Sequence, residues 1–374
     1  MPTDTGSTSL LGEMTPQRFL RDYWQKKPLV VRGAWRTDWM TPSELFALAA
    51  RPDIEARLVL ASRGQWKVSF GPQPAMPAKK RDWTLLVQGV NLWSREADLL
   101  LQSVHFLPRW RLDDVMVSYA APGGGVGPHL DSYDVFLLQV AGHRRWRISR
   151  QQNLTMTPGL PLKILEGFAH DEEWTLAPGD MLYLPPNLAH EGVAIDGCLT
   201  ASIGFRAPTF VEAAREFLHH AADTLEISGR YSDRGREPAA HPGEIDQHLI
   251  DAIEARISAL SFGRESVVEF LGSYLSEPKP TVFFDERESG GATRIAERAR
   301  RRGIRLDARS TLLFHEGRFF FNGEMFKATG RERRLLRALA DHRVLSGAEI
   351  RDASPLFTHQ VCEWLADGWL QLGD

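Results

Sequence analysis

Cysteine is scarce in this sequence, which has Cys198 and Cys362 among 374 residues. Two thiols so far apart exclude a disulfide framework and a zinc site built from thiolates, and we expect both to be buried. No apolar run approaches the roughly 18–20 residues that cross a bilayer. The first 30 residues lack the basic start and apolar run of a signal peptide. These absences predict a cytoplasmic protein with no membrane segment.

The composition is that of an ordinary folded protein, with 43% hydrophobic and 25% charged residues. The length of 374 residues is large for one core, so we expect two or three domains. The sequence also holds 11 Trp and 19 Phe. Because aromatic side chains bury large apolar areas, they indicate sizeable cores or aromatic-lined pockets.

Positive charge is concentrated in one segment although the net charge is −3. Residues 287–351 contain 16 Lys or Arg against 8 Asp or Glu, a balance of +8 that leaves −11 for the rest of the chain. Such asymmetry is typical of contact with an anionic partner, and it is also typical of a solvated basic face. Composition alone does not separate these two interpretations.

Two parts of the chain up to Arg206 differ in character. Thr15-Pro16 begins a helix with Phe19, Leu20, Tyr23 and Trp24 at helical spacing, Pro28–Arg32 is strand-like, and Thr41-Pro42 begins a second helix. Beyond Asp113 short β-rich runs alternate with glycine turns, which indicates a sandwich or barrel. These predicted strands are Val115–Ala120, Val135–Val140, Arg144–Ser149, Met181–Leu184 and Leu199–Phe205.

After Arg206 the pattern becomes helical. Amphipathic helices are predicted over Phe210–Ile227, Ile245–Leu260 and Ser266–Leu275, and Pro278 and Pro280 indicate a linker. The last part resembles a winged helix, with three helices followed by a strand. Its predicted elements are strands at Leu312–His315 and Arg318–Phe321, helices at Arg333–Ala340, Ala348–Asp352 and Pro355–Ala366, and a strand from Trp369 to Leu372.

The segment Gly123–Asp131 is the first with chemical content. If it forms a strand, His129 and Asp131 point to one face and approach one metal ion from the same wall. The glycines before them permit dihedral angles that other residues avoid and leave space at a pocket mouth. A bare His-x-Asp is common by chance, so it is weak evidence alone.

The segment Pro178–Gly192 supplies a third ligand. A predicted strand ends at Pro185-Pro186, the chain turns, and His190 begins the next strand. In a jelly roll this return brings His190 beside His129 and Asp131. Two histidines and one carboxylate on one face of the metal form the triad of non-haem iron(II) oxygenases, which leaves positions open for co-substrate and dioxygen.

These motifs resemble the JmjC-type cupin oxygenases, and among them the bacterial ribosomal oxygenases that hydroxylate an arginine of a large-subunit ribosomal protein. The resemblance covers nearly the whole chain and is most detailed before residue 210. The matching segments are Phe19–Gly33, Pro122–Phe136, Gly142–Arg147, Gly179–Pro186, His190–Gly192 and Gly204–Pro208.

The resemblance implies an α+β fold. A double-stranded β-helix (jelly-roll) catalytic domain spans residues 1–207, a helical dimerisation region spans 208–278, and a winged-helix-like domain spans 279–374. We therefore expect a homodimer formed by the helices after residue 208. Their apolar faces carry Phe210, Val211, Ala214 and Phe217, then Ile245, Leu249, Ala252, Ile253 and Ile257. Helices that merely cover the barrel would show the same pattern.

The resemblance also implies iron(II), with 2-oxoglutarate and dioxygen as co-substrates. In this family a basic residue on the strand after the His-x-Asp motif binds the distal carboxylate of 2-oxoglutarate, and here that residue is Arg144. The planar fork of arginine suits a carboxylate, and strand alternation turns Arg144 inward with Trp146 and Ile148. The residues alone favour the interpretation of Arg144 as one of three surface arginines. Ser118, Thr200 and Ser202 are candidates to assist it with their hydroxyls.

The expected reaction is hydroxylation of the β-carbon of an arginine in the sixteenth protein of the large ribosomal subunit. An arginine substrate needs acidic or aromatic neighbours, and Tyr119, Tyr133 and Asp134 lie close in sequence to the metal ligands. Within the same fold the alternatives are a ribosomal histidine hydroxylase and a lysine demethylase. From another class, the alternatives are a non-catalytic cupin and a winged-helix regulator.

The winged-helix resemblance does not predict DNA binding. Its third helix, Pro355–Ala366, contains no Lys or Arg, which is poor equipment for a major groove. The basic segment before it leaves contact with ribosomal RNA open.

Overall fold

The structure is a computed structural model that describes residues 9–62, 64–206, 208–225, 227–285 and 291–373. Residues 287–290 of the basic segment lie outside the described residues. The chain divides into two compact units, residues 1–207 and 208–374. In the described parts of the chain, no helix is long and apolar enough to span a bilayer.

Three helices of the first unit begin where capping residues place them. Helix α1 (Pro16–Asp22) follows Thr15, whose side chain accepts a hydrogen bond from the Arg18 N–H. Helix α2 (Pro42–Ala49) begins with a capping box between Thr41 and Glu44. Helix α3 (Arg95–Gln102) is capped by Ser94. Two 3-10 turns, Val90–Leu92 and Arg109–Arg111, complete the helical structure.

Two antiparallel sheets make up the rest of this unit. The larger has eight strands in the order β1-β9-β6-β11-β5-β4-β2-β3, and the smaller has the order β10-β7-β8. The strands are β1 (Leu29–Val31), β2 (Ala56–Ser62), β3 (Gln65–Phe70), β4 (Trp83–Val87), β5 (Leu112–Ala120), β6 (Val135–Ala141), β7 (Arg144–Ser149), β8 (Glu172–Leu176), β9 (Met181–Leu184), β10 (Ala189–Ala194) and β11 (Cys198–Phe205). The non-sequential strand order is that of a jelly roll, so the predicted fold class is confirmed.

Each face of the large sheet has its own core. One face packs against the helices through residues such as Phe19, Leu45 and Leu100, all fully buried. The other face meets the small sheet in a separate apolar cluster. Its buried members are Val135, Leu137, Trp146, Ile148, Leu176, Leu182 and Leu184. The site described below lies on this second, inner face.

Several elements of the first unit were not predicted. Strand β4 is buried at every position, so it lacks the alternation that identifies a half-exposed strand. Strands β2 and β3 and helix α3 are short and fall between residues 48 and 113, where no element was assigned. Short segments of this kind are specified by the strands they pair with more than by their own pattern.

The second unit contains the predicted helices with small shifts at their ends. Helix α4 (Phe210–Thr224) stops before the predicted end at Ile227, and Glu226 lies outside the described residues. The other helices are α5 (Gln247–Ser258), α6 (Arg264–Ser276), α7 (Ala292–Arg302), α8 (Gly330–His342), α9 (Gly347–Arg351) and α10 (Pro355–Ala366). Helix α7 was not predicted, because five of its eleven residues are arginines and its apolar positions are mostly alanines.

Two small sheets accompany these helices, in the orders β16-β12-β17 and β13-β14-β15. Their strands are β12 (Ile304–Leu306), β13 (Leu312–His315), β14 (Arg318–Phe321), β15 (Glu324–Lys327), β16 (Val344–Leu345) and β17 (Leu370–Leu372). A single apolar core that includes Phe319, Phe321, Leu339, Val361 and Trp364 joins them to α7–α10. The boundary near residue 278 stays a prediction.

Candidate metal and co-substrate site

Backbone pairing brings the two candidate histidines together. His129 and His190 form an isolated antiparallel bridge, in which each N–H donates to the other's carbonyl at 2.9 and 2.8 Å. In the turn that precedes His190, the Asn187 N–H donates to the Asp131 carbonyl at 2.7 Å. The expected strand through His129 and Asp131 is wrong, because this segment pairs only at the bridge. The bridge nevertheless places His129 beside His190, which the predicted strand was expected to do.

The three side chains converge on one point. Asp131 Oδ2 lies 4.0 Å from His129 Nε2 and 3.7 Å from His190 Nε2. All three potential ligand atoms lie within 4.8 Å of one another, and no other such cluster occurs among the described residues. Two ligand atoms that each lie about 2.1 Å from one ion are at most roughly 4.2 Å apart. Both nitrogen-to-oxygen distances lie below that limit, and the angles of about 90° in a facial arrangement would require them to shorten to about 3 Å around a single ion.

Hydrogen bonds orient both imidazoles for metal binding. His129 Nδ1 lies 2.9 Å from the Gly127 carbonyl, and His190 Nδ1 lies 2.9 Å from the Leu188 carbonyl. Because a carbonyl oxygen only accepts, both Nδ1 atoms carry the proton and both Nε2 atoms keep a lone pair. A metal-binding histidine requires this arrangement. Two imidazole nitrogens and one carboxylate oxygen are also the donor set of non-haem iron(II) sites.

Burial shifts the pKa values of two candidate ligands. It lowers the pKa of His190 to about 3, so the ring is neutral at physiological pH. It raises the pKa of the Asp131 carboxyl, and the positive charge of Arg57 opposes that shift. A carboxylate in this position is stabilised by a nearby cation.

Arg144 lies deep inside the unit with its guanidinium across the gap between the sheets. Its side chain leaves β7 of the small sheet, and Nη1 donates to Ser118 Oγ and Thr200 Oγ1 of the large sheet, each at 3.4 Å. Nη2 donates to the Gly192 carbonyl at 3.2 Å. Arg144 is 4% exposed, and the alternation along β7 turns Trp146 and Ile148 inward with it, as predicted.

The guanidinium of Arg144 donates to neutral groups, the hydroxyls of Ser118 and Thr200 and the carbonyl of Gly192. In the described parts of the chain, no carboxylate forms an ion pair with it, and its buried Nε has no hydrogen-bond partner. Burial lowers the pKa of the guanidinium, which expresses the cost of holding a charge away from water. Since a buried charge without a counterion is strongly unfavourable, this guanidinium suits an anionic ligand, and the fork of an arginine suits a carboxylate.

The three candidate hydroxyls are not equivalent. Ser118 and Thr200 face each other on β5 and β11 and both contact Arg144. Ser202 lies on the same face of β11, two residues along the strand. Among the described residues no hydrogen bond joins Ser202 to Arg144, so the structure does not bring it to the guanidinium.

Two of the three predicted substrate residues lie elsewhere. Tyr119 is on the opposite face of β5 from Ser118, where it packs against Phe46 and Trp83 with ring centroids 5.2 Å apart in each pair. It belongs to the core beneath the helices, since neighbouring residues on a strand point to opposite faces. Expecting it at the site was wrong.

Asp134 is also a correction, because it is fully buried in a structural network. It accepts hydrogen bonds from Tyr183 Oη at 2.6 Å, from Arg111 Nη2 at 2.8 Å and from Gln25 Nε2 at 3.0 Å. A carboxylate with three donors has little capacity left for a substrate. Its proximity in sequence to Asp131 was misleading because one intervening turn separates their environments.

Tyr133 remains a candidate for substrate contact. It is 39% exposed, and burial together with the charges of Asp131 and Asp114 raises the pKa of its phenol to about 12. The phenol therefore lies close to the metal-ligand carboxylate while part of the ring reaches solvent. The phenol therefore keeps its proton at physiological pH and can act as a hydrogen-bond donor.

Two charged residues near the site were missed. Asp114 is 8% exposed and lies on the face of β5 that carries Ser118, as period-two alternation from Ser118 would have indicated. Arg57 lies on β2, opposite Leu86, and its charge acts on both Asp131 and Tyr133. No sequence signal marked Arg57, because β2 itself was not predicted.

Known proteins match this chain over both units. Residues 99–213 match the family described as JmjC domain, and residues 253–371 match the ROXA-like winged helix. The ribosomal protein uL16 3-hydroxylase of Escherichia coli is 36% identical over 70% of this chain and 71% of its own length. A probable ribosomal oxygenase of Haemophilus influenzae is 32% identical over 95% of this chain and 96% of its own length.

Solved structures agree with these sequence matches. The crystal structure of YcfD from Escherichia coli superposes with a TM-score of 0.83 at 30% identity, covering 96% of this chain and 98% of that one. YcfD in complex with cobalt and 2-oxoglutarate, where it is described as a ribosomal oxygenase, superposes with a TM-score of 0.81 at 30% identity. That match covers 97% of this chain and 99% of the YcfD chain.

Proposed function

This chain belongs to the ribosomal oxygenase family of JmjC-domain proteins, and on that premise we propose that it is an iron(II)- and 2-oxoglutarate-dependent hydroxylase of a ribosomal protein. The observation that carries the proposal is the combination of a His-Asp-His cluster with a buried arginine that forms no ion pair with a carboxylate among the described residues. A metal-binding cluster alone suits many cupins. An anion cavity beside it is what a 2-oxo dicarboxylate requires.

Each residue has a defined task in this proposal. His129, Asp131 and His190 hold the iron from one side, with the two Nε2 atoms oriented by the Gly127 and Leu188 carbonyls. Bound iron(II) and 2-oxoglutarate supply the oxidation, in which dioxygen gives one atom to the co-substrate, released as succinate and carbon dioxide, and the other to a substrate C–H bond.

Arg144 anchors the far end of the co-substrate. Its guanidinium binds the distal carboxylate, with Ser118 and Thr200 as neighbouring hydroxyls. Because the site is buried, water is excluded and each charge-assisted hydrogen bond is stronger than in solution. The co-substrate neutralises a charge that the fold leaves unpaired.

We propose an arginine of ribosomal protein uL16 as the substrate, hydroxylated at its β-carbon. The support is that the Escherichia coli relative bears the name uL16 3-hydroxylase. Tyr133 and Asp114 offer the aromatic and acidic neighbours that a guanidinium needs as it leaves water. Both lie on the inner side of the site, which Tyr119 and Asp134 do not.

One experiment separates this substrate from its alternatives. Purified protein is incubated with iron(II), 2-oxoglutarate and a uL16 fragment, and succinate and peptide mass are measured. We expect succinate and one added oxygen atom on an arginine. Oxygen on a histidine, or loss of a lysine methyl group, would replace the substrate while keeping the chemistry. Absence of any succinate would leave a non-catalytic cupin or a winged-helix regulator.

We further propose that the protein is a homodimer through the helices after residue 208. Phe210 is 95% exposed and Ile245 71% exposed, and Val211, Ile253 and Ile257 are exposed with them, so these helices present apolar surface to solvent. A groove of about 440 Å³ on α5 is lined mainly by isoleucines, together with Leu249, Glu254 and Ser258. A second copy of the chain carries the same apolar face and can cover both the exposed apolar side chains and the α5 groove.

Contact with ribosomal RNA is proposed for the basic segment. On α8 the side chains of Arg331, Arg333, Arg334 and Arg337 are exposed, whereas α10 has no Lys or Arg. Weak RNA binding that falls steeply with salt, and that charge reversal at Arg333 and Arg334 abolishes, would support it. Salt-independent or absent binding would favour a solvated basic face. A cytoplasmic location stays a prediction.

A further inference from the structure

Gly192 occupies a position where the structure has no room for a side chain. On β10 it lies directly opposite Trp146 of β7. A Cβ atom there would lie 2.7 Å from Trp146 Cζ3 and 2.8 Å from Arg144 Nε, closer than real Cβ contacts. The φ angle of Gly192 is not in the left-handed region. Glycine is therefore needed here for space and not for backbone conformation.

The missing side chain lets two inner residues lie flat against β10. The guanidinium of Arg144 lies 4.8 Å from the centroid of the Trp146 ring, a cation–π contact. The other side of the same indole lies 6.1 Å from the His190 ring. Trp146 therefore stands between the anion-binding arginine and a metal-binding histidine, and it is 4% exposed.

Arg144 and Trp146 both keep unused hydrogen-bonding capacity. Among the described residues, the buried Nε of Arg144 and the buried Nε1 of Trp146 have no partner. Gly192 also fixes Arg144 directly, because its carbonyl accepts from Nη2 at 3.2 Å. The depth at which the guanidinium rests is thus set by the Gly192 carbonyl, by the absence of a side chain at Gly192 and by the indole of Trp146 on β7.

We propose that Gly192 and Trp146 are positioning residues that set the length of the co-substrate pocket, so that it accepts a five-carbon 2-oxo dicarboxylate in preference to a four-carbon one. This inference rests on the proposed function. A methyl group at Gly192 would have to move Arg144 from 2.8 Å to the 3.4 Å at which ordinary contact begins. The guanidinium then moves off β10 toward the interior, which shortens the pocket.

The test measures binding rather than turnover. Gly192→Ala protein is loaded with manganese(II) without oxygen, and calorimetry gives the Kd of 2-oxoglutarate and of oxaloacetate. A misfit of one methylene in an enclosed pocket is worth about tenfold or more. We expect the Kd of 2-oxoglutarate to rise by that factor and the Kd of oxaloacetate to stay unchanged or fall. Gly204→Ala on β11 is the control, because its nearest atoms lie 3.5 Å away or more.

A compensating variant separates positioning from damage. In Gly192→Ala/Trp146→Phe the smaller ring leaves space beside both the methyl group and Arg144 Nε, so the guanidinium can keep its depth and the preference for the five-carbon acid should return. Equal weakening of both acids by Gly192→Ala, or no weakening of either, would overturn the inference while leaving the proposed function intact. If the wild-type protein binds neither acid, the proposed function fails and this inference fails with it.

Discussion

The two units of this protein differ in what they leave unsatisfied. The first unit buries residues such as Phe136 and Leu138 completely, and its buried Arg144 has no ion-pair partner among the described residues. The second unit has a well-formed core of its own but also presents Phe210, Ile245 and Ile257 to solvent. The first unit therefore needs small charged ligands to complete its site. The second unit needs a partner that covers its apolar surface. Substitutions in one should not produce the defect of the other.

The largest effect is expected at the metal ligands. Replacement of His129, Asp131 or His190 by Ala removes one of three ligands, and we expect succinate formation to fall by three orders of magnitude or more, on the order of 4 kcal/mol. Metal content should fall too, while the mass in solution stays that of the wild type. The exposed His170→Ala is the matched control. A triad variant with near-normal turnover would show that its residue is not a ligand.

The next effect is on stability and tests the corrected role of Asp134. Asp134→Ala leaves Arg111 and Tyr183 without their shared acceptor, which should lower the free energy of unfolding by about 3 kcal/mol. The Kd of 2-oxoglutarate should not change. Chemical denaturation measures the first quantity and calorimetry the second, with the exposed Asp53→Asn as control. Normal stability of the Asp134→Ala protein would contradict this structural role.

Arg144 is expected to affect binding of the co-substrate without affecting assembly. Arg144→Ala removes a charge-assisted contact worth roughly 1.5–3 kcal/mol, so the Kd of 2-oxoglutarate should rise about ten- to a hundredfold. Arg145→Ala, on the outward face of the same strand, should have no such effect. If Arg145 carries the loss instead, the inward assignment of β7 side chains is mistaken.

The smallest effect on catalysis, and the sharpest on assembly, is expected in α5. Ile253→Asp places a charge in the apolar groove and should convert the dimer to a monomer by light scattering at micromolar concentration. The 2-oxoglutarate Kd should stay within about twofold, since surface substitutions away from a site are worth roughly 0.5 kcal/mol or less. Ala255→Asp, outside the groove, is the control. A wild-type monomer would contradict the proposed dimer outright.

Local patterns in the sequence were sufficient for much of the fold and for the metal cluster. The caps at Thr15 and Thr41, the apolar periodicity of α4 and α5, and the inward alternation of Arg144 and Trp146 depend on neighbours along the chain. The residue types and spacing of His129, Asp131 and His190 predicted a facial triad for the same reason. The atoms that a side chain can offer to a metal depend only on the residue type, which the sequence gives directly.

Only the tertiary structure decided which nearby residues share a face of the site. Asp134 is three residues from Asp131, yet its carboxylate accepts hydrogen bonds from Tyr183 and Arg111 away from the site, because the chain turns between the two aspartates. Asp114 and Arg57 are distant in sequence yet act electrostatically on the phenol of Tyr133. No sequence pattern predicts the spatial role of Gly192, because that role depends on the side chains of Arg144 and Trp146, which pack over it from another strand. Sheet register sets such contacts, and register is a property of paired strands and not of either strand alone.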